Sequence, residues 1–265
     1  MGFTQTLRNL FQKQWRQKKL NRYRLDKELR RIAKYPRFTE GYAYLFEKPF
    51  RFNDNHSFIS TYRELFLNDI YRFTPSADAD TILDCGANMG LSVLFFAKNY
   101  PQHKILAFEP DEKIFRILEE NVRTFNLSQV TLFRQGVWDR NEQLKFFSDS
   151  GMGGRINVDY ANQKPVIIDA VPLKDFIGPG IDFLKIDIEG AEDRVLKSCK
   201  GHLGRVRNIF FEYHNDVRSP QTLHELLELV KEEGFHYYIK ESATRERPFV
   251  DQGLICERFD MAINV

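Results

Sequence analysis

The stretch ILDCGANMGLS, Ile82 to Ser92, predicts the fold of this 265-residue chain. Its first three residues end a predicted strand at Asp84, and Gly86 and Gly90 then let the backbone turn sharply into the apolar helix LSVLFFAKN. A strand that enters a helix through a glycine loop brings the backbone close to a ligand at the carboxyl edge of a sheet. We therefore expect a small-molecule site at this loop.

The same alternation of strand and helix continues toward the C-terminus. It predicts parallel β-α units with helices on both faces of one sheet, which is an α/β fold. The predicted strands are TILD (81–84), KILAFE (104–109), VTLFRQ (130–135), DFLKID (182–187) and NIFFEY (208–213), with two late strands in FHYYIKE (235–241) and FDMAINV (259–265). The predicted helices are 91–99, 111–125, 189–200 and 221–234.

The residues after the first two strands restrict the class of ligand. A dinucleotide fingerprint, GxGxxG, would need glycines where Asn88 and Leu91 stand, and no Gly-Lys-Ser/Thr follows for a P-loop. The second strand ends in Glu109, followed by Pro110, and an acidic group there can accept hydrogen bonds from both hydroxyls of a ribose. The pattern predicts a ligand with a ribose and without a pyrophosphate.

Two further groups of residues follow the remaining strands. After the third strand, Gly136, Val137 and Trp138 can form an apolar slot beside an adenine ring; the alternative is that Trp138 is an aromatic at the edge of the core. After the fourth strand, FLKIDIEGAE (183–192) places Asp187 at the strand end and Glu189 at the start of the next helix. We expect the polar side chains of this region to meet in one cleft.

The motifs ILDCGANMGLS, FEPD, GVWD, FLKIDIEGAE and FFEYH together resemble those of the FkbM-type methyltransferases, a class I branch that uses S-adenosylmethionine. The resemblance covers the chain from about Phe58 to the C-terminus. It implies a Rossmann-like, seven-stranded, mostly parallel sheet in the order 3-2-1-4-5-7-6, with the last strand antiparallel. It also implies O-methylation of a hydroxyl, on a sugar, a glycoconjugate precursor or a related metabolite.

The resemblance implies the cofactor contacts as well. It places Asp84, Gly86 and Asn88 around the methionine part, Glu109 on the ribose, and Val137 and Trp138 near the adenine. The complete predicted set is Asp84, Gly86, Ala87, Asn88, Gly90, Glu109, Pro110, Gly136, Val137, Trp138 and Asp187.

A hydroxyl is a poor nucleophile while protonated, so the reaction benefits from a general base or a metal. The predicted catalytic residues are Lys185, Asp187, Glu189, Glu212 and His214. His214 can take a proton near neutral pH, or it is an exposed loop histidine; Lys185 orients a carboxylate, or forms a plain salt bridge. We expect no metal; the alternative is Mg²⁺ held by Asp187, Glu189 and Glu212.

Arg155, in the glycine-rich segment GMGGR (151–155), is the predicted acceptor contact. This segment interrupts the strand-helix alternation and can cover the acceptor, so that the guanidinium reaches a phosphate or carboxylate. The alternative is an ordinary surface loop.

The charge of the chain is unevenly distributed. Residues 1–40 hold 12 Lys or Arg against 3 Asp or Glu, a local charge of +9 in a chain of net charge +2. Apolar residues repeat at helical spacing there, so we predict a basic amphipathic helical extension (1–78) before the methyltransferase domain (79–265). The extension either packs on the domain, contacts a membrane surface peripherally, or binds RNA.

The remaining properties give a general setting. The three cysteines form no CxxC pair, and no apolar run is long enough to span a bilayer, so we expect a cytoplasmic enzyme. The partner should be a small-molecule or saccharide acceptor, and nucleic acid is not the expected partner. Two alternatives stay open: an RNA methyltransferase that uses the basic extension, and an inactive binding module of the same fold.

Overall fold

The computed structural model describes residues 24–148, 155–156, 164–216, 220–243, 250 and 259–265. The strands are, in chain order, β1 (Gly41–Leu45), β2 (Lys48–Phe52), β3 (Thr81–Cys85), β4 (Lys104–Phe108), β5 (Val130–Phe133), β6 (Gly136–Trp138), β7 (Glu142–Phe147), β8 (Arg155–Ile156), β9 (Val166–Pro172), β10 (Ile181–Ile186), β11 (Val206–Asp216), β12 (Lys240–Ala243) and β13 (Phe259–Asn264). The helices are α1 (24–32 as described), α2 (Asn55–Tyr62), α3 (Leu91–Asn99), α4 (Glu112–Phe125), α5 (Glu192–Ser198) and α6 (Leu223–Glu232).

Among the described residues, seven strands form a central sheet in the order β12-β13-β11-β10-β3-β4-β5. The five strands from β11 to β5 are parallel, whereas β13 is antiparallel to both of its neighbours. Numbered along the chain, this is the predicted order 3-2-1-4-5-7-6 with an antiparallel last strand, so the predicted fold is confirmed. The order places β3 and β10 side by side at the centre, where the carboxyl ends of parallel strands form a ligand-binding edge.

The sheet is buried on both faces. Neighbouring residues of β3 point to opposite sides, because side chains alternate along a strand. Ile82 packs into one apolar cluster with the aromatic side chains of α3, while Leu83 packs into a second cluster with α5 and α6. Both residues are fully buried. This is the two-sided packing expected of a parallel sheet in an α/β fold.

A second, smaller sheet follows the third parallel strand. Within the described residues it has four strands in the order β6-β9-β7-β8. Its first strand, Gly136–Trp138, is fully buried, so the residues predicted to line an adenine slot start a new sheet rather than an open loop. In the chain, this small sheet begins directly after β4, which is followed by the predicted ribose residue Glu109, and β5.

The N-terminal elements pack on one face of the central sheet. Leu29 and Ile32 of α1, from the second half of the predicted amphipathic pattern, are buried. The first half, 3–15, lies outside the described residues. Phe50 and Phe52 of the β1–β2 hairpin are fully buried beside Phe58 of α2. The domain boundary after residue 78 stays a prediction.

Two predicted elements differ from the structure. The strand expected over 235–241 begins only at Lys240, because Tyr237 and Tyr238 are exposed and do not join the sheet. The helix expected from Glu189 begins at Glu192, because Glu189 and Gly190 both have positive φ, at 57° and 97°, and leave the helical region. Glu189 therefore lies in a tight loop.

Candidate active site

The glycine loop after β3 fits against the loop after β10. Gly86 has φ +85°, and a Cβ built on it would lie 1.9 Å from the backbone oxygen of Asp187. Gly90, at φ +92°, would place its Cβ 2.6 Å from Leu118. Only glycine satisfies both the backbone angle and the close approach at Gly86. The two loops that carry the predicted cofactor and catalytic residues are thus in direct contact.

Lys185 connects these loops from inside the sheet. Its Nζ donates hydrogen bonds to the carbonyl oxygens of Gly86 at 2.6 Å and Cys85 at 3.2 Å. The same Nζ lies 3.4 Å from Asp84 Oδ1 and 3.5 Å from Asp187 Oδ2. Burial alone would lower the pKa of Lys185, but Asp187 and Asp84 outweigh it and raise that pKa. The lysine therefore stays charged and holds both carboxylates.

Asp84 is fully buried and keeps unused hydrogen-bonding capacity. Neither of its carboxylate oxygens has a hydrogen-bond partner among the described residues, although Lys185 forms an ion pair with it. A buried carboxylate without hydrogen bonds is costly unless a ligand supplies donors. The ammonium group of the cofactor's methionine part is such a donor, so this residue fits the cofactor that the resemblance implies.

Glu109 lies beside the same loop at the end of β4. It is nearly fully buried, and its two oxygens accept 2.9 Å hydrogen bonds from the backbone nitrogens of Asn88 and Asp111. Burial raises the pKa of Glu109 to about 7, against the lowering effect of these two donors. Each oxygen retains one lone pair, which fits acceptance from ribose hydroxyls.

The remaining predicted cofactor residues line the same edge or the adjacent small sheet. Ala87 is buried in the glycine loop and Pro110 is partly exposed after Glu109. Val137 and Trp138 belong to the buried core, and the guanidinium of Arg194 lies 4.5 Å from the centroid of the indole ring. The structure thus gives Trp138 the core position weighed as the alternative, and its contact with adenine stays a prediction.

The polar residues of β10 and β11 converge as expected. Ile186 pairs with Phe211, so Asp187 and Glu212 lie next to each other at the edge of the sheet. Glu212 and His214 share one face of β11, since they are two residues apart. One ligand atom from each of Asp187, Glu212 and His214 lies within 4.8 Å of the others. We call these three residues the carboxylate-histidine cluster.

Glu189 reaches the carboxylate-histidine cluster from its loop. Its Oε2 lies 3.6 Å from His214 Nε2. Burial raises the pKa of Glu189 to about 8, although His214 opposes the shift. Burial alone would lower the pKa of His214, but the nearby carboxylates of Glu189 and Glu192 raise it well above its usual value. Burial, followed by repulsion from Asp187, also raises the pKa of Glu212.

Glu192 is a site residue that the sequence prediction missed. It is buried, and its carboxylate accepts hydrogen bonds from the backbone nitrogens of Ile188 and Gly190, at 3.0 to 3.2 Å. Its Oε1 also lies 3.1 Å from His214 Nδ1. The residue thus fixes the loop that carries Glu189 and orients the imidazole. Its position at the end of the motif FLKIDIEGAE was the available signal.

Glu64 is a second missed residue, and it comes from the N-terminal elements. It lies in the π-helical turn Arg63–Leu67 that continues α2, and turns of this kind are frequent at functional sites. Burial raises the pKa of Glu64 to about 7, with further contributions from Glu212 and Asp187. The turn therefore brings another carboxylate close to the cluster, which no local sequence pattern indicates.

Arg155, the predicted acceptor contact, is only partly described. Its backbone pairs with Phe147 at the edge of the small sheet, and its side chain lies outside the described residues. The structure therefore does not test the predicted contact.

The chain matches known methyltransferases over most of its described length. The model of the Methyltransferase FkbM domain matches residues 84–237, more than half of the chain. Methyltransferase 1 of Beauveria bassiana is 28% identical over 193 residues, covering 63% of this chain and 78% of that protein. The 2-O-methyltransferase NoeI of Sinorhizobium fredii is 27% identical over 165 residues, covering 54% of this chain and 65% of that protein.

A solved structure with a similar outline is TYW2 of M. jannaschii in complex with AdoMet. The TM-score is 0.45 at 12% identity, with 87% of this chain and 86% of that chain covered. The family match begins at Asp84 and includes the glycine loop, Glu109 and the polar ends of β10 and β11. The chain belongs to the FkbM family of methyltransferases and is an S-adenosylmethionine-dependent methyltransferase.

Proposed function

We propose that this enzyme methylates a hydroxyl oxygen of a sugar, a glycoconjugate precursor or a related metabolite. The observation that carries the proposal is the carboxylate-histidine cluster beside the glycine loop, with Asp187 directly after β10 and Glu212 and His214 on β11. Acceptor hydroxyls need hydrogen-bond acceptors and a route for a proton, and this cluster supplies both. A relative named 2-O-methyltransferase, NoeI, is consistent with an oxygen acceptor.

The residues around the glycine loop would hold the cofactor. Asp84 would accept hydrogen bonds from the methionine ammonium, and Glu109 from the ribose hydroxyls. Lys185 keeps the loop in place through the carbonyl of Gly86. When bound, S-adenosylmethionine supplies an electrophilic methyl group on a sulfonium. The chain's task is to align the acceptor with that methyl group and to exclude water.

The polar cluster would position the acceptor and receive its proton. Methyl transfer would form a bond between the acceptor oxygen and the methyl carbon and would leave the electron pair of the carbon–sulfur bond on sulfur. The hydroxyl proton would pass to a carboxylate of the cluster. Lys185 orients Asp187 through the 3.5 Å ion pair. Glu192 does the same for His214.

The experiment follows labelled methyl groups from S-adenosylmethionine into a panel of hydroxyl-bearing acceptors. Sugars and glycosides are compared with matched carboxylic acids and with RNA. We expect label in the sugars as an alkali-stable methyl ether. An alkali-labile methyl ester, or label only in RNA, would refute the proposal, because each identifies another acceptor group.

We further propose that the N-terminal region contacts an anionic membrane surface. The 12 basic residues of 1–40 supply the charge. The exposed face of β1 adds Tyr42 and Tyr44, and Phe46 at the hairpin tip is exposed beneath the ammonium of Lys98, 4.7 Å from the ring centroid. Exposed aromatics next to basic residues are typical of interfacial membrane contact. No helix among the described residues is both long and apolar enough to span a bilayer.

A further inference from the structure

The carboxylate-histidine cluster has the composition of a metal site. Asp187, Glu212 and His214 each offer one ligand atom, and these atoms lie within 4.8 Å of one another. Ligand atoms around an octahedral Mg²⁺ or Mn²⁺, at about 2.1 Å from the ion, are separated by roughly 3 to 4 Å. Only small side-chain movements would bring the three atoms onto one ion. The two carboxylates suit Mg²⁺ or Mn²⁺.

The charge around the cluster favours a cation as well. Beyond its own two carboxylates, the cluster faces Glu189, Glu192 and the half-buried Glu64. The buried Lys185 forms ion pairs with both Asp84 and Asp187. It also donates hydrogen bonds to the backbone carbonyls of Cys85 and Gly86. Several partly buried carboxylates close together repel one another and are costly to desolvate. A divalent cation between them would offset that cost.

The imidazole is held in the orientation that a metal ligand needs. His214 Nδ1 lies 3.1 Å from Oε1 of the buried Glu192, and Glu192 is itself fixed by backbone nitrogens of the loop before α5. With Glu192 on Nδ1, the candidate ligand atom is the other ring nitrogen, Nε2, which lies 3.6 Å from Glu189 Oε2. This carboxylate–histidine arrangement is typical of metal-bound histidines, since it sets the ring tautomer and raises ligand basicity.

We propose that Asp187, Glu212 and His214 bind a divalent cation of the Mg²⁺ and Mn²⁺ class at the acceptor side of the cofactor pocket. The set differs from the one considered in the sequence, because His214 takes the place of Glu189; the Oε2 atom of Glu189 lies 3.6 Å from His214 Nε2, beside the proposed ion. The role of the ion rests on the proposed function: it would coordinate the acceptor hydroxyl and lower the pKa of that hydroxyl.

The binding test uses Mn²⁺ itself. The full chain, without a histidine tag and stripped of metal, is titrated with MnCl₂ in the presence of S-adenosylhomocysteine, and free Mn²⁺ is measured by electron paramagnetic resonance. We expect one Mn²⁺ per chain, displaced by excess Mg²⁺. Glu212→Gln and Asp187→Asn should each weaken binding by at least about tenfold. The control Glu225→Gln, an exposed carboxylate paired with Lys197, should bind like the wild type.

Two results would refute the proposed metal site. One is a wild-type chain that binds no Mn²⁺. The other is wild-type affinity in both Glu212→Gln and Asp187→Asn, which would place the ion elsewhere. A second measurement does not depend on the folding of any variant: spin-echo modulation of the Mn²⁺ bound to the wild type should show nitrogen coupling from an imidazole. A bound ion without that coupling would exclude His214 as a ligand.

Failure of the site and failure of the proposed function give different results. The binding experiment contains no acceptor, so bound Mn²⁺ without any methylation of hydroxyl acceptors would refute the function and leave the site. Undiminished methylation by a chain that binds no Mn²⁺ would refute the site and leave the function.

Discussion

Lys185 donates a 2.6 Å hydrogen bond from its ammonium group to the carbonyl oxygen of Gly86, so a buried side chain of β10 fixes the backbone of the loop after β3. The same ammonium is 3.4 Å from Asp84 and 3.5 Å from Asp187. One buried charge thus supports the predicted cofactor loop and the predicted acceptor side at once. This explains why a strand buried along its whole length contains a lysine.

Replacing that lysine should destabilise the fold. Lys185→Met leaves the buried Asp84 without its ion-pair partner and removes the charge next to Asp187. We expect the free energy of unfolding, measured with urea, to fall by about 3 to 5 kcal/mol. The control is Lys104→Met, which removes an exposed ion pair with Asp80 and should change stability by less than about 1 kcal/mol. Equal losses for the two variants would contradict the role of Lys185.

The contact between the two loops should make Gly86 irreplaceable. Gly86→Ala places a methyl group against the carbonyl of Asp187, whereas Gly201→Ala, at a similar φ of +80°, meets nothing within 4 Å. Both variants carry the same backbone strain, so the difference between them isolates the close approach. We expect Gly86→Ala to cost about 1 to 3 kcal/mol more by urea unfolding. Calorimetry should also show weaker S-adenosylmethionine binding for this variant alone.

Glu109 should make stability depend on pH near neutrality. Its pKa in the folded protein is about 7 because it is buried, above the ordinary value of 4.5. A raised folded pKa means that its contribution to stability is present at low pH and is lost as pH rises through about 7. Glu109→Gln does not titrate, so its unfolding free energy minus that of the wild type should increase by up to about 3 kcal/mol from pH 4.5 to 8.

Denaturant unfolding of both proteins across that pH range measures the effect. A constant offset from the lost carboxylate hydrogen bonds cancels, because only the change with pH is compared. A difference that does not vary with pH would show that Glu109 titrates normally.

Membrane binding should depend on the first 23 residues and on the exposed aromatics of the hairpin. We expect the full chain to sediment with anionic liposomes and a chain starting at residue 24 to stay largely in solution. This truncation keeps Leu29 and Ile32 of α1, which are buried. Tyr44→Ala tests the hairpin separately. Equal partition of all three proteins, or equal binding to neutral liposomes, would refute the proposal.

The sequence predicted the central sheet well because its signals are local. Each parallel strand is a short apolar run, and the glycines after β3 mark the turn at the ligand edge. The order of the strands came from the family resemblance and agrees with the structure. The side chains of Asp187, Glu212 and His214 were predicted to meet because adjacent parallel strands end at the same edge.

The errors have physical causes that no local pattern shows. Glu189 continues a helical pattern, but the hydrogen bonds that Glu192 receives from Ile188 and Gly190 stabilise a loop with positive φ instead. Glu64 reaches the site only because α2 and its π-helical turn pack on the sheet, which is a long-range arrangement. The strand at 240–243 forms by pairing with β13. The apolar residues before it led to a predicted strand that starts too early, at residue 235.

The most direct test of methyl transfer at the carboxylate-histidine cluster is a crystal structure with S-adenosylhomocysteine. We expect the ribose hydroxyls on Glu109, the amino group on Asp84, and the sulfur facing Asp187, Glu212 and His214 across a gap that fits a methyl group and a hydroxyl. A ligand bound away from the glycine loop, or a sulfur atom turned away from these three side chains, would contradict the proposed active site.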